Sequence, residues 1–159
     1  MTLRPSTGTL ITVAPTGAEH LKGDLPQLPT TTEELVETAV RCEAAGAALI
    51  HIHRRDAEHR PTLDLGLLRE AVAGVREATD LVVQLSTGGS VHDGYAARLA
   101  VLDAAPDSCS LTCGTVNFGD DIFNNPMPFM SELYVAAQEH EIVPEFEAFE
   151  VGHLWALER

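Results

Sequence analysis

His51-Ile52-His53 places two imidazoles two residues apart. On a β-strand, where side chains alternate, both rings project from one face and can reach a single cation at about 2.0–2.1 Å. Imidazole plus carboxylate with one open position suits catalytic zinc, so Zn2+ is the expected ion. Two ligands do not complete a site, and at least one more carboxylate or histidine must join them. Glu145 and Glu147 are candidates from a later strand, because inward carboxylates are costly unless paired, protonated or metal-bound. Glu145 is equally readable as a strand-end residue pairing with Arg54 or Arg55. Asp56 is either a partner for a ring N–H or a cap for the segment after it.

Hydroxyl and amide donors gather at similar places. Ser86-Thr87-Gly88-Gly89 closes a strand with two hydroxyls and a flexible turn whose backbone N–H groups could cradle a carboxylate or phosphate, although a plain strand-to-helix turn explains the glycines equally well. Ser110, Thr112 and Thr115-Val116-Asn117-Phe118-Gly119 add more. The long connection from Pro15 through Lys22 and Pro29 carries Glu19 and His20, either functional or ordinary solvated loop charges. No G-x-S-x-G elbow accompanies Ser86, which argues against a serine hydrolase. His59, His92, His140 and His153 are read as surface or local hydrogen-bonding residues, and Arg98 as facing solvent or an acidic neighbour.

Apolar, β-branched runs alternate with runs of helical period. The strands expected are 9–16, 47–54, 81–86, 109–116 and 143–149. Between them fall helices from the Thr31/Glu34 capping box to Ala45-Gly46, over 65–78, over 95–104 and over 130–140, with a further helix opening near Gly152. Such alternation implies right-handed crossovers and a parallel α/β sheet. Each strand expected here is polar on one face near its C-terminal end: His51 and His53, Gln84 and Ser86, Ser110 and Thr112, Glu145 and Glu147. A doubly wound sheet, covered on both sides, would be more uniformly apolar. The pattern therefore favours a (β/α)8 TIM barrel with its site at the upper rim, truncated to about the first five strands, because eight such units need about 250 residues.

The 159 residues suffice for one domain, 1–159. A formal charge of −14 makes nucleic acid and anionic membrane surfaces poor partners. No apolar run is long enough for a membrane helix, and Met1 to Leu10 lacks a signal pattern, so a cytoplasmic location is expected. Cys42, Cys109 and Cys113, odd in number and without CxxC spacing, are expected to be reduced and packed.

Taken together, 11–19, 44–54, Gln84 to Gly89, Gly114 to Asp121 and Pro144 to Glu147 resemble the β-keto acid cleavage enzymes, in the family's order. The resemblance implies a zinc-dependent barrel that condenses a β-keto acid with acetyl-CoA, giving acetoacetate and a new acyl-CoA. On this resemblance His51 and His53 match the family's zinc histidines. Glu19, Ser86, Ser110 and Glu147 fall on positions lining its substrate site, together with the neighbouring Thr87, Gly88 and Thr112. Ser110 replaces a threonine found in a well-known member and Thr112 an asparagine, the second bearing on substrate selection. Ser86 and Ser110 would bond the substrate's carboxylate or keto oxygen, Glu19 its variable group, and Glu147 would order the metal's surroundings. The family's third zinc ligand, a glutamate, and an adjacent catalytic aspartate belong to a C-terminal half with no counterpart after Arg159. The chain alone is thus expected to be inactive or nearly so unless a second chain completes it, and its open strand edges favour a homo-oligomer. The alternatives are a metal-dependent hydrolase of the amidohydrolase type and a non-catalytic half-barrel that only associates.

Overall fold

The crossover helices owe their positions to capping and to apolar stripes. In the computed structural model, which describes residues 8–159, the first helix, α1 (Thr32–Ala44), is opened by a complete capping box between Thr31 and Glu34. It buries Leu35 and Ala39. Helix α2 (Leu65–Ala78) starts where the Asp64 carboxylate accepts the Leu67 N–H at 2.9 Å, and buries Leu68, Ala71, Val72 and Val75, one stripe of helical period. The expectation that the N-terminus carries no signal pattern falls in part on residues 1–7, outside the described residues.

Five strands, β1 (Thr12–Val13), β2 (Leu49–Ile52), β3 (Val82–Leu85), β4 (Ser108–Thr112) and β7 (Val143–Glu147), form one parallel sheet in that order. Ile50, Ile52, Val83 and Leu85 are fully buried against α1 and α2. Cys109, Leu111 and Cys113 pack against Phe129, Leu133 and Ala137 of α4 (Met127–Glu139). Helices thus take the apolar face of the sheet, and the alternate residues, His51, Gln84, Ser110, Thr112 and Glu147 among them, share the other. All three cysteines are free, and burial pushes the Cys109 thiol up to about 12, which makes it a packing residue.

Four expected elements differ. The first strand shrinks to Thr12–Val13, and the Thr16 hydroxyl instead accepts the His53 backbone N–H at 2.8 Å. The expected fourth strand stops at Thr112, and the chain then passes so close to His153 that a Cβ built at Gly114 would lie 2.5 Å from its ring. Beyond Gly114 the chain folds into an antiparallel hairpin, β5 (Val116–Phe118) and β6 (Asp121–Phe123), turning through Gly119 at φ +63°. The third helix is α only over α3 (Tyr95–Ala100); Val101–Ala104 tightens to a 3₁₀ turn closed by left-handed Ala105. Helix α4 begins at Met127 rather than Met130, since Pro128 lies in the first turn, where a missing N–H costs nothing. The tail folds as α5 (Val151–Leu157), burying His153, which accepts the Phe149 N–H.

The Glu34 carboxylate also clamps the long loop that precedes α1. It accepts from Lys22 Nζ at 2.5 Å and from the Thr30 N–H at 2.9 Å, and those bonds, Lys22 first, hold its pKa down at about 2. A depressed carboxylate contributes stability above its unfolded value and loses it as pH falls through the folded one. Glu34→Gln should therefore lower stability at neutral pH by about 1 kcal/mol, the worth of a cap on a part-solvated group. The deficit should shrink as pH drops from about 4.5 towards 2. Urea midpoints of both proteins across that range check this; a pH-independent difference would contradict it.

Candidate functional site

Register builds the site. His51 pairs with Gln84, Gln84 with Ser108, Ser110 with Glu145 and Thr112 with Glu147, so polar side chains of adjacent parallel strands stand beside one another on the face opposite the helices. The two imidazoles do converge: His51 Nε2 and His53 Nε2 lie 3.1 Å apart, with ring centroids 5.0 Å apart. Two nitrogens on one tetrahedral ion with bonds of about 2.0–2.1 Å would be about 3.3 Å apart, so the pair fits a cation such as zinc. Burial first, then the adjacent His51 and Arg55, drives the His53 pKa down to about 3, so that the ring offers a lone pair rather than a charge. Its Nδ1 is buried with no hydrogen-bond partner among the described residues.

The carboxylates stand differently from expectation. Glu145 accepts from Gln84 Nε2 at 3.1 Å, and Glu147 accepts from the Thr112 hydroxyl at 2.6 Å. No group of three or more His, Cys, Asp or Glu side chains among the described residues could hold an ion, so neither glutamate joins the histidines. Arg54 and Arg55 do not pair with Glu145. Arg54 donates to the Thr30 carbonyl and Thr32 hydroxyl, and Arg55 to the Thr16 and Gly17 carbonyls, anchoring the base of the first loop. Asp56 is the cap and not a histidine partner: its Oδ1 accepts the Glu58 and Arg60 N–H groups. Glu19 is exposed on the first loop with no hydrogen bond to a described residue.

The strand-three turn is also used in another way. Its N–H groups point at hydroxyls: Gly88 N–H donates to Ser86 Oγ at 3.2 Å and Thr87 N–H to Ser110 Oγ at 3.3 Å, while the Thr87 hydroxyl donates to the Ser110 carbonyl at 2.6 Å. They cannot cradle an anion directly. A serine Oγ that already accepts an N–H is left with its own proton to give, so the turn makes Ser86 and Ser110, both buried, into hydrogen-bond donors.

Two functional neighbours escaped the sequence. Gln84, only 1% exposed, touches His51 Nδ1 through its Oε1 at 2.5 Å; its inward alternation is visible in the sequence, its register is not. Arg98 does not face solvent, and no carboxylate among the described residues accepts a hydrogen bond from it. It is 2% exposed, stacked between the Phe123 and Phe129 rings at 4.5 Å from each, and donates to the Thr87 and Asn124 carbonyls and to Asn125 Oδ1. The hairpin that carries Phe123 is what buries it, and no local pattern around Arg98 announces that hairpin.

A model of the beta-keto acid cleavage enzyme family matches residues 9–159. The chain belongs to that family. It is 37% identical over 145 residues to a 3-keto-5-aminohexanoate cleavage enzyme of Fusobacterium nucleatum, covering 90% of this chain and 53% of that protein. It is 33% identical to a 3-oxoadipate:acetyl-CoA acetyltransferase of Cupriavidus necator, covering 92% of this chain and 51% of that one. The chain thus spans about half the length of the curated relatives it matches. Among solved structures it resembles apo ObcA at 25% identity and a TM-score of 0.72, over 81% of this chain and 32% of that one. The fold is accordingly the expected α/β one, a five-stranded parallel half-barrel sheet with helices. The relatives it matches are named as enzymes.

Proposed function

We propose that this chain contributes the two-histidine half of a zinc site at which a β-keto acid and acetyl-CoA exchange acyl groups. The C–C bond between the keto carbon and the CH2–carboxylate fragment breaks, the released acyl group passes to CoA, and the acetyl group joins CH2–carboxylate as acetoacetate. Atoms balance with no oxidant or reductant. The observation that carries the reading is the 3.1 Å approach of the His51 and His53 Nε2 atoms on the polar face of a sheet in this family.

His51 and His53 would hold the ion, with at least one further ligand from outside the described residues. When bound, zinc supplies Lewis-acid stabilisation of negative charge developing on the keto oxygen. The remaining roles fall to this chain's own groups. Ser86 and Ser110, their oxygens already occupied by backbone N–H groups, donate their protons to the substrate's carboxylate or keto oxygen. Thr87 and Gly88 hold those hydroxyls in place, and Gly88 stays open because a Cβ there would press within 3.2 Å of the Phe123 ring. Glu147, fixed by Thr112, orders the polar surroundings of the ion, and Thr112 shapes the wall that faces the substrate. Glu19 meets the variable end of the keto acid from the first loop, whose base Arg55 anchors. The setting is cytoplasmic, and the chain acts within a larger assembly, either homo-oligomeric or completed by further strands.

A chimera tests this. Residues 9–159 replace the matching stretch of the Fusobacterium enzyme, and acetoacetate release from a panel of β-keto acids is followed with and without acetyl-CoA. We expect acetyl-CoA-dependent release by the folded chimera, its loss on His51→Ala, and no release by the 159-residue chain alone. A folded, zinc-loaded chimera that releases no acetoacetate from any keto acid would overturn the reading.

A further inference from the structure

An imidazole can ligate through Nε2 only if its proton sits on Nδ1, and the neighbour of Nδ1 decides that. For His51 the neighbour is an amide, Gln84, whose two ends are chemically opposite: the oxygen accepts and the nitrogen donates. A free amide could turn either end to the ring, and with its NH2 facing Nδ1 it would force the proton onto Nε2. What breaks the symmetry is Glu145. Its carboxylate only accepts, and at 3.1 Å from Gln84 Nε2 it requires the NH2 on its own side. Ser108 Oγ, 2.9 Å from the same nitrogen, cannot settle the matter, because a hydroxyl serves as donor or acceptor.

We propose that Glu145 and Gln84 are positioning residues for His51: a carboxylate-to-amide-to-imidazole relay that keeps the Nδ1 proton in place and aims the Nε2 lone pair at His53. The relay joins residues of three strands, β7, β3 and β2, reaching over β4 between the first two, and beside Glu145 its middle member is best an amide. A carboxylate at position 84 would stand beside Glu145 as a like charge. Its purpose rests on the zinc reading above; the tautomer itself does not.

The test reads the tautomer and the metal separately. In metal-free protein labelled with ¹⁵N-histidine, at about pH 8 where ordinary imidazoles are neutral, His51 should show a protonated Nδ1 and a bare Nε2. Glu145 is exposed, so Glu145→Ala leaves the fold intact. It should yield a mixture of both tautomers and weaken zinc binding about 10-fold, measured by competition with a chromophoric chelator. Q84E/E145Q, which places an accepting carboxylate on the ring and the amide outside, should keep the Nδ1–H tautomer. A bare Nδ1 in the native protein, or an unchanged tautomer in Glu145→Ala, would overturn the relay. The native tautomer together with no zinc binding at all, by this chain or by the chimera that completes it, would leave the relay standing and sink the zinc reading instead.

Discussion

Substituting His51 and His53 together with alanine should abolish measurable zinc binding while leaving the chain folded without metal. The two effects differ in size for a structural reason. Partners that merely orient a metal-bound histidine are worth about 10- to 100-fold in affinity, so loss of both imidazoles should cost well over about 100-fold. The metal-free fold loses less: His51→Ala strips the buried Gln84 oxygen of its partner, a cost of about 1–3 kcal/mol, and the loss at His53 is smaller. His53 is held with Nδ1 buried and unpartnered among the described residues, and burial has already removed its tendency to carry a proton. An unsatisfied buried polar atom is a cost, so deleting it offsets the packing that alanine loses. Titration against a chromophoric chelator and urea unfolding in a chelating buffer, run on the same preparations, check both halves. Should the double variant bind zinc like the parent, the ion sits elsewhere; should it unfold in the absence of metal, the pair is a structural element of the sheet.

The same asymmetry explains why this site is legible in the chain at all. Residues kept against a local energetic preference stand out: two imidazoles and two carboxylates alternate on their strands with Ile, Leu, Phe and other apolar residues and have no packing reason to be there. Alternation then places them on one face, and the structure agrees for His51, His53, Ser86, Ser110, Thr112 and Glu147. What alternation cannot supply is register. That Gln84 stands beside His51, or that Glu145 reaches Gln84 and not an arginine, depends on how strands over thirty residues apart slide against each other. The hairpin is a different kind of omission. Val116-Asn117-Phe118-Gly119-Asp120-Asp121-Ile122-Phe123 does carry alternation about a glycine turn, but strand-helix alternation taken as the rule extends the strand to Val116 and treats the remainder as loop. Asp56 is open on sequence grounds because a carboxylate close to a strand end suits a ring N–H and a turn equally, and the turn takes it.

Arg98 carries the other large expected effect. Arg98→Ala should destabilise the chain by at least about 3 kcal/mol, because it leaves several buried acceptors without a donor at once. The guanidinium is engaged on its edges and faces: three hydrogen bonds go to the Thr87 and Asn124 carbonyls and Asn125 Oδ1, and Phe123 and Phe129 lie 4.5 Å from it. No carboxylate among the described residues accepts from it, and burial lowers its pKa to about 10, partly opposed by Tyr95 and Asp93, yet it stays charged at neutral pH. A cation held only by neutral oxygens and two aromatic faces depends on planar geometry. Arg98→Lys keeps the charge but cannot span three acceptors or stack on two rings, so it should recover less than half of the loss. The damage should also be directional. Arg98 is the bolt between the Thr87 carbonyl, the β5–β6 hairpin and the start of α4, and Thr87 in turn holds Ser110. Amide exchange should therefore accelerate first at Thr87, Gly88 and 116–125 in Arg98→Lys, with β2 and its histidines still protected. If lysine matches arginine in stability, or if exchange rises uniformly, the cavity is only filled space and the serine donors owe their placement to the strands alone.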